Sequence, residues 1–342
     1  MSFAFGLGIG TRNKKGEWLE VYYPAPLIHP EAGIINAVKE SLGHDGGNHA
    51  IALDNDSLAK LSDALSAARC PEQAELAQSL ADSEKPVVVT LLETDDAATS
   101  TPEAYLKLQL LSHRLVKPHG LDLNGLFGLL PNVAWTNVGA IDLDELPSRQ
   151  IEARKAGGYI EVKSVDKFPP MTDYVVPQGV RIADCARVRL GAYIGEGTTV
   201  MHEGFVNFNA GTEGTSMIEG RISAGVMIGK GSDLGGSCST MGTLSGGGNI
   251  IISVGENSLL GANSGIGIPL GDRCTVEAGL YITAGTRVAL LDDENNTVET
   301  IKARELAGKA DLLFRRNSIS GQVECKTNKT AIELNEELHA HN

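Results

Sequence analysis

The chain has 342 residues, 42% of them hydrophobic and 21% charged, with a formal net charge of −14. That length can bury a large core and predicts two or three domains, while the acidic balance excludes a general nucleic-acid or anionic-membrane surface, which needs a basic field. Five cysteines without a C-x-x-C pair (Cys70, Cys185, Cys238, Cys274, Cys325) fit free thiols in a reducing cytoplasm, and no run is apolar for long enough to span a bilayer.

Residues 1–163 read as an α/β domain. Met1 to Gly10 is apolar, short and glycine-broken, and Arg12, Lys14 and Lys15 follow it, which is the wrong order for a signal peptide. Trp18 to Tyr23 and Pro86 to Leu92 carry the β-branched and aromatic content of strands. Pro30 and Gly43 bracket a helix. Ser57 to Ala68 predicts another, with Asp56 as N-cap and Leu58, Leu61 and Leu65 on one face; Thr101 and Pro102 open a third, with Thr101 as N-cap and Leu106, Leu110 and Leu115 buried. The histidines here have no metal-ligand spacing and read as surface or capping residues. The domain reads as packing and substrate enclosure, without a catalytic constellation.

Residues 164–291 are dominated by aliphatic side chains six apart. The runs are Ile182, Val188, Ile194, Val200 and Val206; Ile222, Ile228 and Leu234; Val254, Leu260 and Ile266; and Leu270, Val276, Ile282 and Val288. A period of six fits neither a helix nor long alternating strands; it fits a parallel β-helix in which three hexads close one coil. Five coils at about 4.8 Å would stand about 24 Å tall. Glycines after many anchors (Gly195, Gly229, Gly235, Gly255, Gly261, Gly271) are expected to turn the corners with φ > 0. The period breaks between Val206 and Ile222, between Leu234 and Val254, and between Ile266 and Leu270, so the coil is expected to be interrupted there, and loops on a rigid scaffold carry function. The two larger breaks hold Asn209 to Arg221 and the glycine-rich Met241 to Gly248. Cys274 sits at a repeat position that predicts a small buried side chain rather than a nucleophile.

Residues 292–342 form a third segment. The acidic turn Asp292 to Asn296 leads to Leu312 to Phe314 and Gln322 to Cys325, which predict a hairpin across Asn317 to Gly321, and Thr330 with Glu333 has the spacing of a helix-opening capping box. Lys302, Arg304, Arg315, Arg316, Lys326 and Lys329 make this tail a basic patch suited to phosphate; a solvated charge run is the alternative.

Four segments carry a resemblance: Met201 to Thr212, Glu219 to Gly225, Met241 to Gly248, and Leu313 to Ser318. Together they resemble the tetrahydrodipicolinate N-succinyltransferase family along essentially the whole chain, closest to its longer form. The resemblance implies a left-handed β-helix and a homotrimer with active sites between neighbouring prisms. The implied activity is succinyl transfer from succinyl-CoA to the amine of 2-amino-6-oxopimelate, the ring-opened form of tetrahydrodipicolinate, on the route to diaminopimelate and lysine.

Attack of an amine on a thioester needs a neutral amine, an oxyanion donor and a home for the CoA phosphates. The resemblance makes Glu219 the catalytic carboxylate, as a nucleophile forming an acyl anhydride; a general-base role fits the residues equally and needs burial to raise a pKa of about 4.3. An ion pair with Arg221 is the structural alternative for Glu219. Gly242 is the oxyanion-hole candidate, because a glycine amide can approach a ligand closely. The family's CoA positions fall on Arg221, Gly236, Ser239, Ala262, Glu277, Ala278, Gly285, Lys302, Arg315, Arg316, Asn317 and Ser318. Arg221 is the first candidate for the succinyl carboxylate, with Arg187 and Arg189 for the acceptor's two. Glu203 matches an acid that binds magnesium near the trimer axis in some relatives, whose companion acid falls on Ala186 here. Two other functions compete: a β-helix O-acetyltransferase using acetyl-CoA, which wants a histidine base where the repeats offer only His202, and a non-catalytic trimeric scaffold, which leaves the glycine loop and basic tail unexplained. Three-histidine zinc chemistry is excluded by the same count.

Overall fold

A computed structural model describes residues 3–242 and 250–327. It divides into two compact units, one comprising Met1–Val116, Gly120–Pro169 and Asp173–Val175, the other Lys117–His119, Pro170–Thr172 and the chain from Val176 onward.

The first unit is an antiparallel sheet covered by helices. Strand β1 (Ala4–Arg12) lies between β2 (Trp18–Tyr22) and β5 (Val87–Leu92); β3 (Leu27–Ile28) pairs with β1, and β4 (His49–Leu53) pairs with β5 at the edge. Every residue of β5 is buried. Helices α1 (Ala32–Leu42), α2 (Asn55–Ala67) and α3 (Pro71–Ser79) pack Ile34, Val38, Leu58, Leu61 and Leu65 against Phe5, Leu7 and Val89 of the sheet. Helix α1 ends at Gly43 with φ 64°, inside the Pro30 to Gly43 bracket.

Both predicted N-caps among the described residues shift. Helix α2 begins earlier than expected and is capped by Asp54, whose carboxylate accepts from the Ser57 amide while Ser57 hydroxyl bonds back; the second acid, Asp56, lies inside the first turn. Helix α4 (Thr101–Ser112) is capped by Ser100 rather than Thr101, and it ends before Leu115, which is 41% exposed. Within α4, Lys107 is fully buried, yet its ammonium is satisfied by Asp95 at 2.7 Å and by the carbonyls of Asp96 and Asp122. A small sheet follows, with β6 (Val133–Thr136) between β7 (Gly139–Asp142) and β8 (Val162–Asp166).

The second unit is a coil of three parallel sheets that the chain visits in rotation. The inward residues of the first face are Ile182, Val200, Ile218, Leu234, Leu260, Val276 and Phe314. Val188, Val206, Ile222, Thr240, Ile266 and Ile282 line the second face, and Ile194, Thr212, Ile228, Val254 and Leu270 the third. All are buried except Ile182, which is half-buried, and each buried aliphatic contributes about 1.5–3 kcal/mol of transfer free energy.

The coil is less interrupted than the aliphatic spacing implies. Between Val206 and Ile222 the hexads continue through Thr212 and Ile218, and Thr240 is the next inward position after Leu234. The threonines sit inside because their hydroxyls are bonded: Thr212 Oγ1 shares a 2.7 Å hydrogen bond with Thr198 and accepts from the Gly195 amide, and Thr240 Oγ1 donates to Arg221 O. The glycines after the anchors do a different job from the one expected. Gly255 and Gly261 do not have positive φ; a Cβ on either would meet backbone of the next coil at 2.4 Å and 2.5 Å. They permit stacking. The left-handed corner residue stands three after the anchor, as at Gly197, Asn209, Thr215, Gly231, Asn257 and Asn263.

The described part of the tail joins this unit. Phe314 continues the first face by pairing with Val276, and Leu312–Arg316 forms the expected hairpin with Val323–Thr327, Phe314 opposite Cys325. Arg287–Leu291 and Thr297–Lys302 pair around the acidic turn. The expected helix from Thr330, with Lys329, lies outside the described residues, as do residues 243–249 of the glycine-rich loop. Among the described residues no helix is long and apolar enough to cross a membrane.

Candidate active site

The most informative local feature is one short corner. Between the first and second faces the chain normally spends five residues, as from Val200 to Val206, Leu234 to Thr240, Leu260 to Ile266 and Val276 to Ile282. Between Ile218 and Ile222 it spends three: Glu219, Gly220 and Arg221. A corner two residues short leaves a notch between the full corners on either side. Gly220 is required there, since a Cβ would overlap Cys238 Sγ and the Cys238 carbonyl.

The notch is a recess of about 410 Å³ lined by Arg187, Glu203, Phe205, Arg221, Ser237, Cys238 and Ser239. Glu203 spans it from the coil below, its Oε2 accepting from Ser237 Oγ at 3.1 Å. Glu219 is half-buried at its edge. A Cβ placed on Gly236 would stand 3.5 Å from an oxygen of Glu203 and 3.5 Å from one of Glu219, so the two carboxylates are at most about 7 Å apart across a bare glycine. Burial, with the Glu219 charge adding to it, pushes the Cys238 thiol up to about 12.

Glu219 and Arg221 form no ion pair among the described residues. Arg221 instead donates to Ser239 Oγ at 2.6 Å, across paired strands, and Arg187 donates to the Glu203 and Gly204 carbonyls at 2.8 Å and 3.2 Å. Both guanidiniums therefore keep donors for a carboxylate in the recess. Arg189 lies one strand position further on, bonded to Asn207 Oδ1 at 3.2 Å.

From the notch a line of small residues climbs one edge of the coil. The register of the first face stacks Glu219, Gly235, Gly261, Glu277 and Arg315 one position after the anchors, with Gly236, Ala262, Ala278 and Arg316 beside them. Four coil steps of about 4.8 Å separate Glu219 from Arg315, roughly 19 Å. The far end is braced. Glu277 Oε2 accepts from the Arg316 amide at 2.7 Å, Arg315 pairs with the buried Glu324 carboxylate at 2.9 Å, and Asn317 donates to the other oxygen of that carboxylate at 2.8 Å. Arg316 donates to Gly321 O and is otherwise exposed, as is Ser318.

The remaining sequence candidates stand elsewhere. Gly285 and Lys302 lie together beyond the last coil, where the Ala303 amide bonds Thr286 O at 2.8 Å. Gly242 lies against Ala224, whose carbonyl a Cβ at 242 would approach to 3.3 Å. Gly242 follows the strand Ser239–Thr240, whereas Glu219 precedes the paired strand Arg221–Ile222, so the two stand at opposite ends of the second face. Phe205, Ser237 and Cys238 line the recess and were not singled out in the sequence; the four-residue step from Ile218 to Ile222 is the signal that finds them.

One chain alone does not supply a magnesium site at Glu203. A hard dication wants about six oxygen ligands, whereas Glu203 has one neighbouring carboxylate and two flanking guanidiniums, and no group of three or more His, Cys, Asp or Glu among the described residues could hold a metal ion.

Comparison with known proteins adds an independent line. Residues 130–169 match a family described as the middle region of tetrahydrodipicolinate N-succinyltransferase, and residues 251–284 match the hexapeptide repeat of succinyl-transferases. The chain is 68% identical over 340 residues to a Pseudomonas paraeruginosa protein named 2,3,4,5-tetrahydropyridine-2,6-dicarboxylate N-succinyltransferase, covering 99% of this chain and 98% of that one. A Vibrio cholerae protein of the same name is 58% identical, covering 99% of each chain. Among solved structures, a Campylobacter jejuni chain described as a 2,3,4,5-tetrahydropyridine-2-carboxylate N-succinyltransferase superposes with a TM-score of 0.87 at 33% identity, covering 96% of this chain and 93% of that one.

Proposed function

The chain belongs to the tetrahydrodipicolinate N-succinyltransferase family, and on that premise we propose how its short corner carries the reaction. The enzyme is a CoA-dependent N-succinyltransferase of the diaminopimelate and lysine route. Its donor is succinyl-CoA, and its acceptor is the amine of 2-amino-6-oxopimelate. The coil winds left-handed, three copies assemble as a homotrimer in the cytoplasm, and each active site is shared by neighbouring coils.

The observation that carries this reading is the single line from the Glu219 notch to Arg315 and Arg316. Its small residues leave room for an extended pantetheine arm, with the thioester at the notch and the phosphates at the arginines. Arg315 is held in orientation by Glu324, so less freedom is lost when a phosphate arrives. Arg221 receives the succinyl carboxylate and Arg187 one acceptor carboxylate, both within the recess. Glu277, Ser239, Asn317 and Ser318 border the donor, and Lys302 beside Gly285 meets its outer phosphate end.

Glu219 serves by one of two routes: it takes the succinyl group as a mixed anhydride before the amine arrives, or it removes the proton from the attacking amine. In both routes the thioester C–S bond breaks, a C–N bond forms between the amine and the succinyl carbonyl carbon, and the proton that the amine gives up ends on the CoA sulfur. Rapid-quench detection of a succinylated enzyme separates them. Gly242 donates its amide to the oxyanion from across the subunit boundary, since in its own chain it stands at the opposite end of the second face from Glu219.

The test is release of free CoA from succinyl-CoA in the presence of 2-aminopimelate. Release with succinyl-CoA alone among CoA thioesters is expected. Preference for acetyl-CoA would replace this reading with an acetyltransferase, and absence of release with any thioester would leave a scaffold.

A further inference from the structure

The first unit holds a second pocket that succinyl transfer does not use. It encloses about 440 Å³ and is lined by Glu20, Tyr22, Lys85, Trp135, Lys163 and Tyr174, with Ile9, Thr136, Gly139, Ala140 and Asp173 completing the wall. None of these residues comes from the coil.

Its chemistry is divided. Glu20 is 8% exposed on β2 and has no ion pair among the described residues; the Tyr174 hydroxyl donates to it at 3.2 Å, and Thr11 hydrogen-bonds it as well. Burial raises its carboxyl, with those hydrogen bonds and the more distant Lys85 charge pulling the other way. A cation brought within contact would relieve that cost. Lys85 donates to Thr11 Oγ1 at 3.1 Å and has two further donors, and Lys163 is exposed without a partner among the described residues.

Between the charges the walls are aromatic and already satisfied. The Trp135 indole N–H is committed to Asp166 O at 2.9 Å and the Thr136 hydroxyl to Gly139 O at 2.7 Å. Trp135 is 5% exposed, and the Tyr22 and Tyr174 rings lie 6.4 Å apart. The wall carries two acids, Glu20 and the exposed Asp173, and two lysines, so a dicarboxylate would set like charge against the acids and a simple amine would bring no anion to the lysines.

We propose that this pocket binds a free α-amino acid as its zwitterion, the ammonium facing Glu20, the carboxylate facing Lys85 and Lys163, and the side chain lying against Trp135 and Tyr22. The site stands independently of the transferase reading.

The chain has two tryptophans, Trp18 and Trp135, so Trp18→Phe leaves the pocket residue as the only indole reporter. Titration of that variant with L-norleucine should give a saturable fluorescence change. Hexanoate, which lacks the ammonium, and pentylamine, which lacks the carboxylate, should bind at least tenfold more weakly. Adding Glu20→Gln, or Lys85→Met with Lys163→Met, should weaken norleucine tenfold or more while succinyl transfer stays at the wild-type rate. Equal binding of the three compounds, indifference to both variants, or no saturation by about 10 mM norleucine overturns the proposal. The lysine variants alter exposed side chains, so the test survives a folding failure of Glu20→Gln.

Discussion

Replacing Gly236 by alanine isolates the gap between the two carboxylates from the stability of the coil. The new methyl carbon would stand 3.5 Å from Glu203 Oε2 and 3.5 Å from Glu219 Oε2, ordinary contact distances, and the backbone there does not have positive φ. Folding should therefore be unaffected or gain up to about 1 kcal/mol from lost chain entropy in the unfolded state. On the proposed path the thioester, by contrast, passes through the volume that the methyl fills and would be displaced by an ångström or more. Misplacement of that size costs roughly 10- to 100-fold in rate, or about 1.4–2.7 kcal/mol of transition-state stabilisation. Steady-state CoA release gives kcat/KM, and thermal unfolding gives the control. Gly235→Ala is the contrasting neighbour: its Cβ would meet Ala262 N at 2.8 Å and Leu260 O at 2.9 Å, so that variant should lose stability first. Wild-type kinetics in Gly236→Ala would refute the location of the thioester, and a fall in Tm matching that of Gly235→Ala would refute the separation of site from scaffold.

Arg316→Ala should raise the KM for succinyl-CoA at least tenfold with little change for the amine, since its guanidinium has no acidic partner among the described residues; equal rises in both would mean that the tail closes the site rather than holding phosphate. Arg315→Ala is a less clean test, because it also strands the Glu324 carboxylate. Stability should fall as pH rises above about 9, because burial pushes the Cys238 and Cys325 thiols up to about 12. In that window the unfolded chain loses protons that the fold retains, at a cost of up to about 4 kcal/mol per thiol by pH 12. Urea unfolding at about pH 8 and pH 10.5 should show the loss, and Cys325→Ala should flatten it; an unchanged slope would contradict the assignment. Thr212→Val should cost about 1–3 kcal/mol by leaving the buried Thr198 hydroxyl unpaired, and adding Thr198→Val should recover most of it. Equal stability of the single and double variants would count against the pair.

The coil was readable because its inward positions are mostly aliphatic and the period is rigid. It became unreadable where a threonine took an inward position: Thr212 and Thr240 are buried through hydrogen bonds that exist only once two coils are stacked. Passing over Thr212 and Ile218 turned one short corner into an apparent sixteen-residue gap, and the recess with it. The roles of the corner glycines were inverted for a related reason, because close approach between stacked backbones depends on the register of the next coil. Helix caps moved by one or two residues where several capping side chains compete, as at Asp54 and Asp56. Arg315, Arg316 and Glu219 were named from the sequence, but only the parallel register sets them on one line. The N-terminal pocket had no sequence signature at all, since Glu20, Lys85, Trp135 and Tyr174 are brought together from distant segments.

The central claim is that the carboxylate on the shortened corner acts on the thioester. Glu219→Gln, assayed for CoA release with succinyl-CoA and 2-aminopimelate alongside calorimetric CoA binding, addresses it most directly. The account predicts a rate loss of about 10³-fold or more with CoA affinity and assembly state unchanged. Activity within tenfold of wild type, with CoA still bound, would contradict it.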